Sequence, residues 1–218
     1  MKRSIDVVVG TALALLTLPV ILLLAAVTAV NLRAWPFFVQ TRIGAGGAPF
    51  RLVKLRTLPL STDHYADKRA INSIPLNWIS RTMRRTHIDE LPQLFLVPLG
   101  RMSLVGPRPE MAFLQEQMPP AFARRRTEVR PGCTGLWQIG HENAGLIVEA
   151  PEYDLHYVSN RTFGLDLWIL WRSATMVLGA GTGGLVDIPT WLHPEGSRSA
   201  FPLVHVGQAE IIEVDPAA

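Results

Sequence analysis

The pattern of apolar and polar positions divides the chain sharply near residue 34. After Lys2-Arg3-Ser4-Ile5-Asp6, the stretch Val7 to Val30 carries no formal charge, and Asn31-Leu32-Arg33 closes it. Built as a helix, a run of that length reaches across the hydrocarbon core of a bilayer. Basic residues ahead of an apolar stretch also fit a signal peptide. The run is longer than a signal core, however, and no small-x-small cleavage site precedes a plausible mature start. Arg3 and Arg33 leave both flanks positive, so charge sets no orientation. Pro19, near the middle, removes a backbone donor and bends a helix. Two arrangements stay open on these residues: a bent helix with both ends on one side, and a straight crossing that tolerates its proline.

Past residue 34 the periods are shorter. Trp35-Pro36-Phe37-Phe38-Val39-Gln40 reads as extended chain with aromatics suited to a membrane interface. Arg42 to Pro49 is a tight turn, and Phe50 to Thr57 partly alternates, which predicts a hairpin. Pro59 to Pro75 is polar and reads as a mobile loop. Helical periodicity resumes around Asn77–Arg85, Leu94–Leu99 and Met111–Gln117, then over Tyr153–Asn160 and Leu165–Leu178. The last of these carries Trp168 and Trp171, which suit either a core or a bilayer surface. Val129 to Gln138 is turn-rich and ends in a short apolar piece. The predicted architecture is α+β and mainly helical. It has a membrane anchor over 1–34, a small domain with a short β-hairpin and interfacial helices over 35–178, and an extension over 179–218 to which no role is assigned.

Composition narrows the function classes. A chain of 218 residues supports one domain with a sizeable core. A net charge of +3 gives a mild preference for anionic partners without specifying nucleic acid. No recognition helix or aromatic-basic platform is visible, so a nucleic-acid partner is not expected. Of 21 basic residues only Lys2, Lys54 and Lys68 are lysines. Cys133 is the single cysteine, which excludes an internal disulfide and a multi-cysteine metal site. It reads as a small packed residue rather than a nucleophile. His64, His141, His156, His193 and His205 show no metal-ligand spacing. Arg124-Arg125-Arg126 reads as a solvated or headgroup-facing patch.

The chemistry concentrates in Arg84-Arg85-Thr86-His87-Ile88-Asp89-Glu90-Leu91-Pro92-Gln93 and in Ser103 to Pro109. Adjacent carboxylates beside arginines suit a site that binds anions, holds a divalent metal and presents a nucleophilic oxygen. Thr86-x-x-Asp89 fits a helix-opening pattern. An alternative start puts Pro92 at the first helical position. Either register sets Asp89 and Glu90 near a helix N-terminus, where exposed amides attract phosphate. The plainer reading is a capping acid with arginines paired to it. His87 reads as a solvated or packing histidine rather than a base.

In order, these pieces resemble the bacterial sugar transferase family, the monotopic polyprenyl-phosphate phosphoglycosyl transferases. The matching motifs are Lys2-Arg3-x-x-Asp6, the Pro19-broken segment, Gln40-x-Arg42-Ile43-Gly44, Lys54-x-Arg56-Thr57, and Asp89-Glu90-Leu91-Pro92-Gln93. They continue with Met102 to Pro109, Arg130-Pro131-Gly132-x-Thr134-Gly135, Asp154-x-x-Tyr157-Val158 and Leu165-Asp166-Leu167. The resemblance implies a catalytic domain on the cytoplasmic face of the bacterial inner membrane, anchored by a re-entrant helix among membrane lipids. It implies transfer of a phosphosugar from a nucleotide diphosphate sugar to a polyprenyl phosphate, with a homodimer compatible. Asp89 and Glu90 would form the catalytic dyad and hold Mg2+. Lys54, Arg84, Arg108 and Asp154 are the expected substrate-binding residues. A non-catalytic scaffold binding anionic lipid is the alternative.

Three positions depart from the family pattern. Gly100-Arg101 stands for Gly-Asp, Leu18 for a serine, and His141-Glu142-Asn143 for Gly-Arg-Asn. The last replaces a cation with an anion near the expected donor end.

Overall fold

A computed structural model of the chain describes residues 1–62 and 74–192. Most of the Pro59–Pro75 loop therefore lies outside the described residues, as does the end of the extension.

The apolar run forms one helix, α1 (Lys2–Leu32), 31 residues long and continuous through Pro19. Among the described residues it is the helix long and apolar enough to cross a membrane. One stripe of it is buried: Asp6, Gly10, Ala14, Ile21, Ala25 and Thr28. These positions recur at helical spacing along the whole length, so the helix lies against the domain rather than leading away from it. At its start, Asp6 is 4% exposed and accepts from Ser103 Oγ at 2.8 Å and the Leu104 amide at 3.2 Å. Arg3 donates to the carbonyls of Val97 and Pro98 at 2.7 and 3.0 Å, and Lys2 pairs with Asp166 at 2.6 Å. Near its other end, Ala25 packs with Leu55 and Met83, and Thr28 Oγ1 meets Met83 Sδ at 3.9 Å. A Cβ on Gly10 would stand 2.6 Å from Val97 Cγ1, so this close approach requires glycine.

The predicted hairpin is present as β1 (Phe37–Ile43) and β2 (Pro49–Leu55), antiparallel, with Phe38 opposite Lys54. Next come α2 (Trp78–Arg85), capped by Asn77 Oδ1 accepting from the Ser80 amide at 2.9 Å, and a 3₁₀ helix over Ile88–Leu96. Strand β3 (Ser103–Val105) follows, then α3 (Ala112–Glu116) and α4 (Pro120–Arg126). The rest is β4 (Gly132–Thr134), α5 (Leu136–Ile139), α6 (Pro151–Asn160) and α7 (Phe163–Val177). The described residues are thus mostly helical with a short hairpin, as the periodicity predicts.

One pairing goes beyond that prediction: β3 and β4 run parallel, Ser103 opposite Gly132 and Val105 opposite Thr134. Its tightness has a steric reason. A Cβ on Gly132 would fall 2.1 Å from the Gly106 amide nitrogen. Both motif glycines thus serve close backbone approach, a common use of glycine in sheets. The main core gathers Phe122, Val97, Met102, Leu136, Tyr157, Leu165 and Ile169 around this pair, and Ile188 and Leu192 of the extension are buried in it too.

Candidate active site

The chain reaches the two carboxylates through a sharp local reversal. Thr86 closes α2 instead of opening the next helix, its Oγ1 donating back to the Thr82 carbonyl at 2.9 Å. His87 then takes a left-handed conformation, φ 56 and ψ 15. That costs a non-glycine residue about 1–2 kcal/mol and redirects the backbone. The capping register built on Thr86 is therefore corrected, and so is the one starting at Pro92. The helix is 3₁₀, begins at Ile88 and carries Pro92 inside it, because proline has no amide hydrogen for a longer α ladder. Asp89 and Glu90 do lie at a helix N-terminus, in its first turn.

These residues line a cavity of about 410 Å³. Arg42, Lys54, Arg84, His87, Asp89, Glu90 and Arg108 line it, together with Trp137, Gln138, Asn143, Leu146 and Val148. Lys54, Arg84 and Arg108 thus come together with Asp89 and Glu90. Asp154 is not among the lining residues. It is 2% exposed and pairs with Arg126, itself 3% exposed, at 2.8 Å. Arg126 in turn donates to the Arg108 carbonyl at 2.7 Å and to Gln115 Oε1 at 3.1 Å. The pair therefore braces the backbone of a pocket arginine from behind. Arg126 departs from the surface patch expected of the arginine run, because the spacing of α4 turns it inward while Arg124 and Arg125 stay exposed.

The charges inside the pocket set the carboxylates apart. Arg108 donates to Glu90 Oε1 at 3.0 Å, and Arg42 pairs with Glu110 at 3.3 Å. Burial pushes the Glu90 carboxyl up, but Arg108 and Lys54 outweigh it and bring it down to about 2. Glu90 in return holds Arg108 charged well above the ordinary range. Asp89, 4% exposed, is raised to about 6 by burial and by the Glu90 charge, against the pull of Lys54 and Arg84. Burial lowers Lys54 to about 8, and its ammonium sits 5.4 Å over the Phe38 ring. Burial pushes the Cys133 thiol up to about 12, so it is no thiolate near neutral pH.

Sequence reasoning assigned no role to Arg42, Glu110 or Gln138. Arg42 stands in a quoted motif, and Glu110 directly follows Pro109, so proximity to the matched segments was the available signal. Arg42 Nε and both carboxamide atoms of Gln138 are buried with no hydrogen-bond partner among the described residues. A pocket wall with unused polar capacity suits a polar ligand.

No group of three or more His, Cys, Asp or Glu side chains able to hold a metal occurs among the described residues. Magnesium needs less: one or two carboxylates, with waters and substrate phosphates completing its shell. Asp89 and Glu90 fit that requirement as two carboxylates lining one cavity, and a cation would relieve the Glu90 repulsion that adds to burial in raising Asp89.

The model of the family described as Bacterial sugar transferase matches residues 1–180. The chain belongs to that family. A Bacillus subtilis protein named uncharacterized sugar transferase EpsL is 38% identical over 182 residues, covering 82% of this chain and 87% of that protein. A Caulobacter vibrioides relative is named UDP-glucose:undecaprenyl-phosphate glucose-1-phosphate transferase. It is 36% identical, over 81% of this chain and 67% of its own length. The exopolysaccharide production protein ExoY of Rhizobium meliloti is 31% identical, over 81% of this chain and 84% of its own. As a member of the family the chain is an enzyme of the sugar transferase class.

Proposed function

We propose that this protein transfers a phosphosugar from a nucleotide diphosphate sugar to undecaprenyl phosphate, at the cytoplasmic face of the bacterial inner membrane. This would be an initiating step of surface polysaccharide assembly, a reading supported by the names of its relatives. The observation that carries it is a pair of adjacent carboxylates in one cation-lined pocket, Glu90 paired with Arg108 at 3.0 Å and Asp89 without an ion pair among the described residues. Burial and Glu90 therefore raise Asp89, while Arg108 and Lys54 lower Glu90. Such divergence assigns different tasks to two like groups.

Asp89, buried and poorly solvated, is the nucleophile. Its carboxylate oxygen attacks the sugar-linked phosphorus, and the bond from that phosphorus to the bridging oxygen breaks. The nucleoside monophosphate departs with that oxygen and its electron pair, leaving a phosphosugar–aspartyl intermediate. A phosphate oxygen of the lipid then attacks the same phosphorus and frees Asp89. Glu90 stays ionised and fixes Arg108. Lys54, Arg84 and Arg108 neutralise the non-bridging oxygens, which is most of what phosphoryl transfer asks of a protein. Magnesium held by Asp89 and Glu90 would add further neutralisation of the diphosphate.

The anchor is re-entrant in this reading. Both ends of α1 touch one domain, at Val97 and Ser103 and again at Met83, whereas a straight crossing would separate them by a bilayer. Single-cysteine labelling near residues 2 and 61 tests it, and labelling of the first from outside the cell would exclude it. The decisive experiment for activity is monophosphate release from membranes supplied with polyprenyl phosphate and a panel of nucleotide sugars. Binding without release, for every donor, returns the protein to a scaffold.

A further inference from the structure

The segment that follows α7 folds back onto the domain. Gly179 reverses the chain at φ 101, and Arg172 then donates to the Gly181 carbonyl at 3.1 Å. Gly183 forms a parallel β-bridge with Gly140. Its amide donates to the Ile139 carbonyl, and its carbonyl accepts from the His141 amide, both at 2.9 Å. Thr182 Oγ1 lies 2.9 Å from His141 Nδ1. The Gly184 amide donates to Asp187 Oδ2 at 2.7 Å, which closes the turn leading to Ile188 and Leu192 in the core.

On the other side of that bridge the chain runs straight into the pocket. Asn143 and Gly145 to Val148 are lining residues, and they stand on two short 3₁₀ turns, His141–Ala144 and Ile147–Glu149. Turns of this kind hold little shape of their own. Local bonds hold them, Asn143 Nδ2 donating to the Gln138 carbonyl at 2.8 Å and the Leu146 amide to Glu149 Oε2 at 3.0 Å, and Ile147 is buried in the main core. The bridge at Gly183 adds a long-range tie. It comes from beyond the span that the family model matches, which ends at residue 180. Asp89, Glu90, Arg84 and Arg108 stand on other elements, held by the core and α1.

We propose that residues 181–192 are a positioning strap: by bridging Gly140 they fix the 140–148 wall, and so govern binding of the nucleotide sugar rather than the chemistry at Asp89. The inference rests on the reading of this pocket as a nucleotide-sugar site. Thr182 and Asp187 are the positioning residues, since neither lines the cavity.

The test uses the full chain in its membranes, with Thr182→Val and Asp187→Ala. Each removes one hydrogen bond of the strap and spares its apolar anchors. The KM for the donor should rise about threefold to tenfold, the span one hydrogen bond covers. The kcat and the KM for polyprenyl phosphate should stay within about twofold. An equal change in both KM values, or a fall in kcat alone, would overturn the strap as a donor-positioning element. Hydrogen exchange supplies a readout without turnover: amides of His141–Val148 should exchange faster in both variants, while those of α6 hold. Unchanged exchange overturns the strap whatever the kinetics. Faster exchange in a protein that turns over no nucleotide sugar keeps the strap and removes the donor reading.

Discussion

Two aspartates sit equally deep in this molecule and are treated in opposite ways. Asp154, behind the pocket, meets Arg126 in a two-point pair, at 2.9 Å from Nε and 2.8 Å from Nη2. Asp89, at the front, has no ion pair within 4 Å among the described residues. It feels Lys54 and Arg84 only as field, while Glu90 pushes against it. Burial with a charged partner makes a strut. On the proposed mechanism, burial without one leaves a carboxylate that gains by reacting.

The comparison can be broken by exchanging charge for amide at each place. Asp89→Asn should reduce monophosphate release by at least about a thousandfold, as loss of a nucleophile does. The protein should melt no lower than the wild type, since a strained buried charge has gone. Substantial transfer by this variant would end the covalent mechanism. Asp154→Asn should do the reverse. It leaves the Arg126 charge buried and unpaired, at a cost of about 3–5 kcal/mol in stability. Denaturant unfolding in detergent checks it, and an unchanged midpoint would show that the brace carries nothing.

A third prediction sharpens the contrast through pH. With Asp89 near 6 and Lys54 near 8, the rate should fall below the first value and above the second. Lys54→Met removes the charge that pulls Asp89 down, so the acidic limb should move to higher pH as the rate drops. A limb that stays put would mean that Asp89 does not set it. Stability follows its own sign. The raised Asp89 carboxyl favours the folded state below its unfolded pKa, and that contribution is lost as pH rises through about 6.

The smallest effect belongs to Glu142. The departure at His141-Glu142-Asn143 suggested a changed donor field, yet Glu142 is exposed and Asn143 is the lining residue. Glu142→Arg should therefore leave the ratio of two nucleotide-sugar donors within about twofold, a surface-charge effect. A larger shift would bring Glu142 back to the site.

These outcomes also mark how far the chain could be read unaided. Helix α1, the hairpin and α2 were legible because their signals are local: an uncharged run, a turn between extended stretches, a short helical period. The β3–β4 pair was not, since three residues a side carry no periodicity and the pairing depends on glycines far apart in sequence. The 3₁₀ turn at Asp89 hid behind His87, whose left-handed backbone no propensity announces. Lys54, Arg84 and Arg108 were nominated from residue type and resemblance, and the fold brings them to the dyad. Arg126 was lost among identical neighbours, because only burial tells it from Arg124 and Arg125. Asp154 was noticed, but its neighbour across the helices was not.

The contact of Asp6 with β3 bears on how this protein can be built and altered. Its carboxylate satisfies Ser103 and the Leu104 amide, and Gly10 lets α1 press on Val97. Division at residue 34 would strip those partners from the strand that leads to Arg108 and open its apolar side to water. The anchor is thus no detachable module. A soluble version trimmed of it should be recovered unfolded or inactive, and an unrelated membrane helix grafted in its place should fail to restore it.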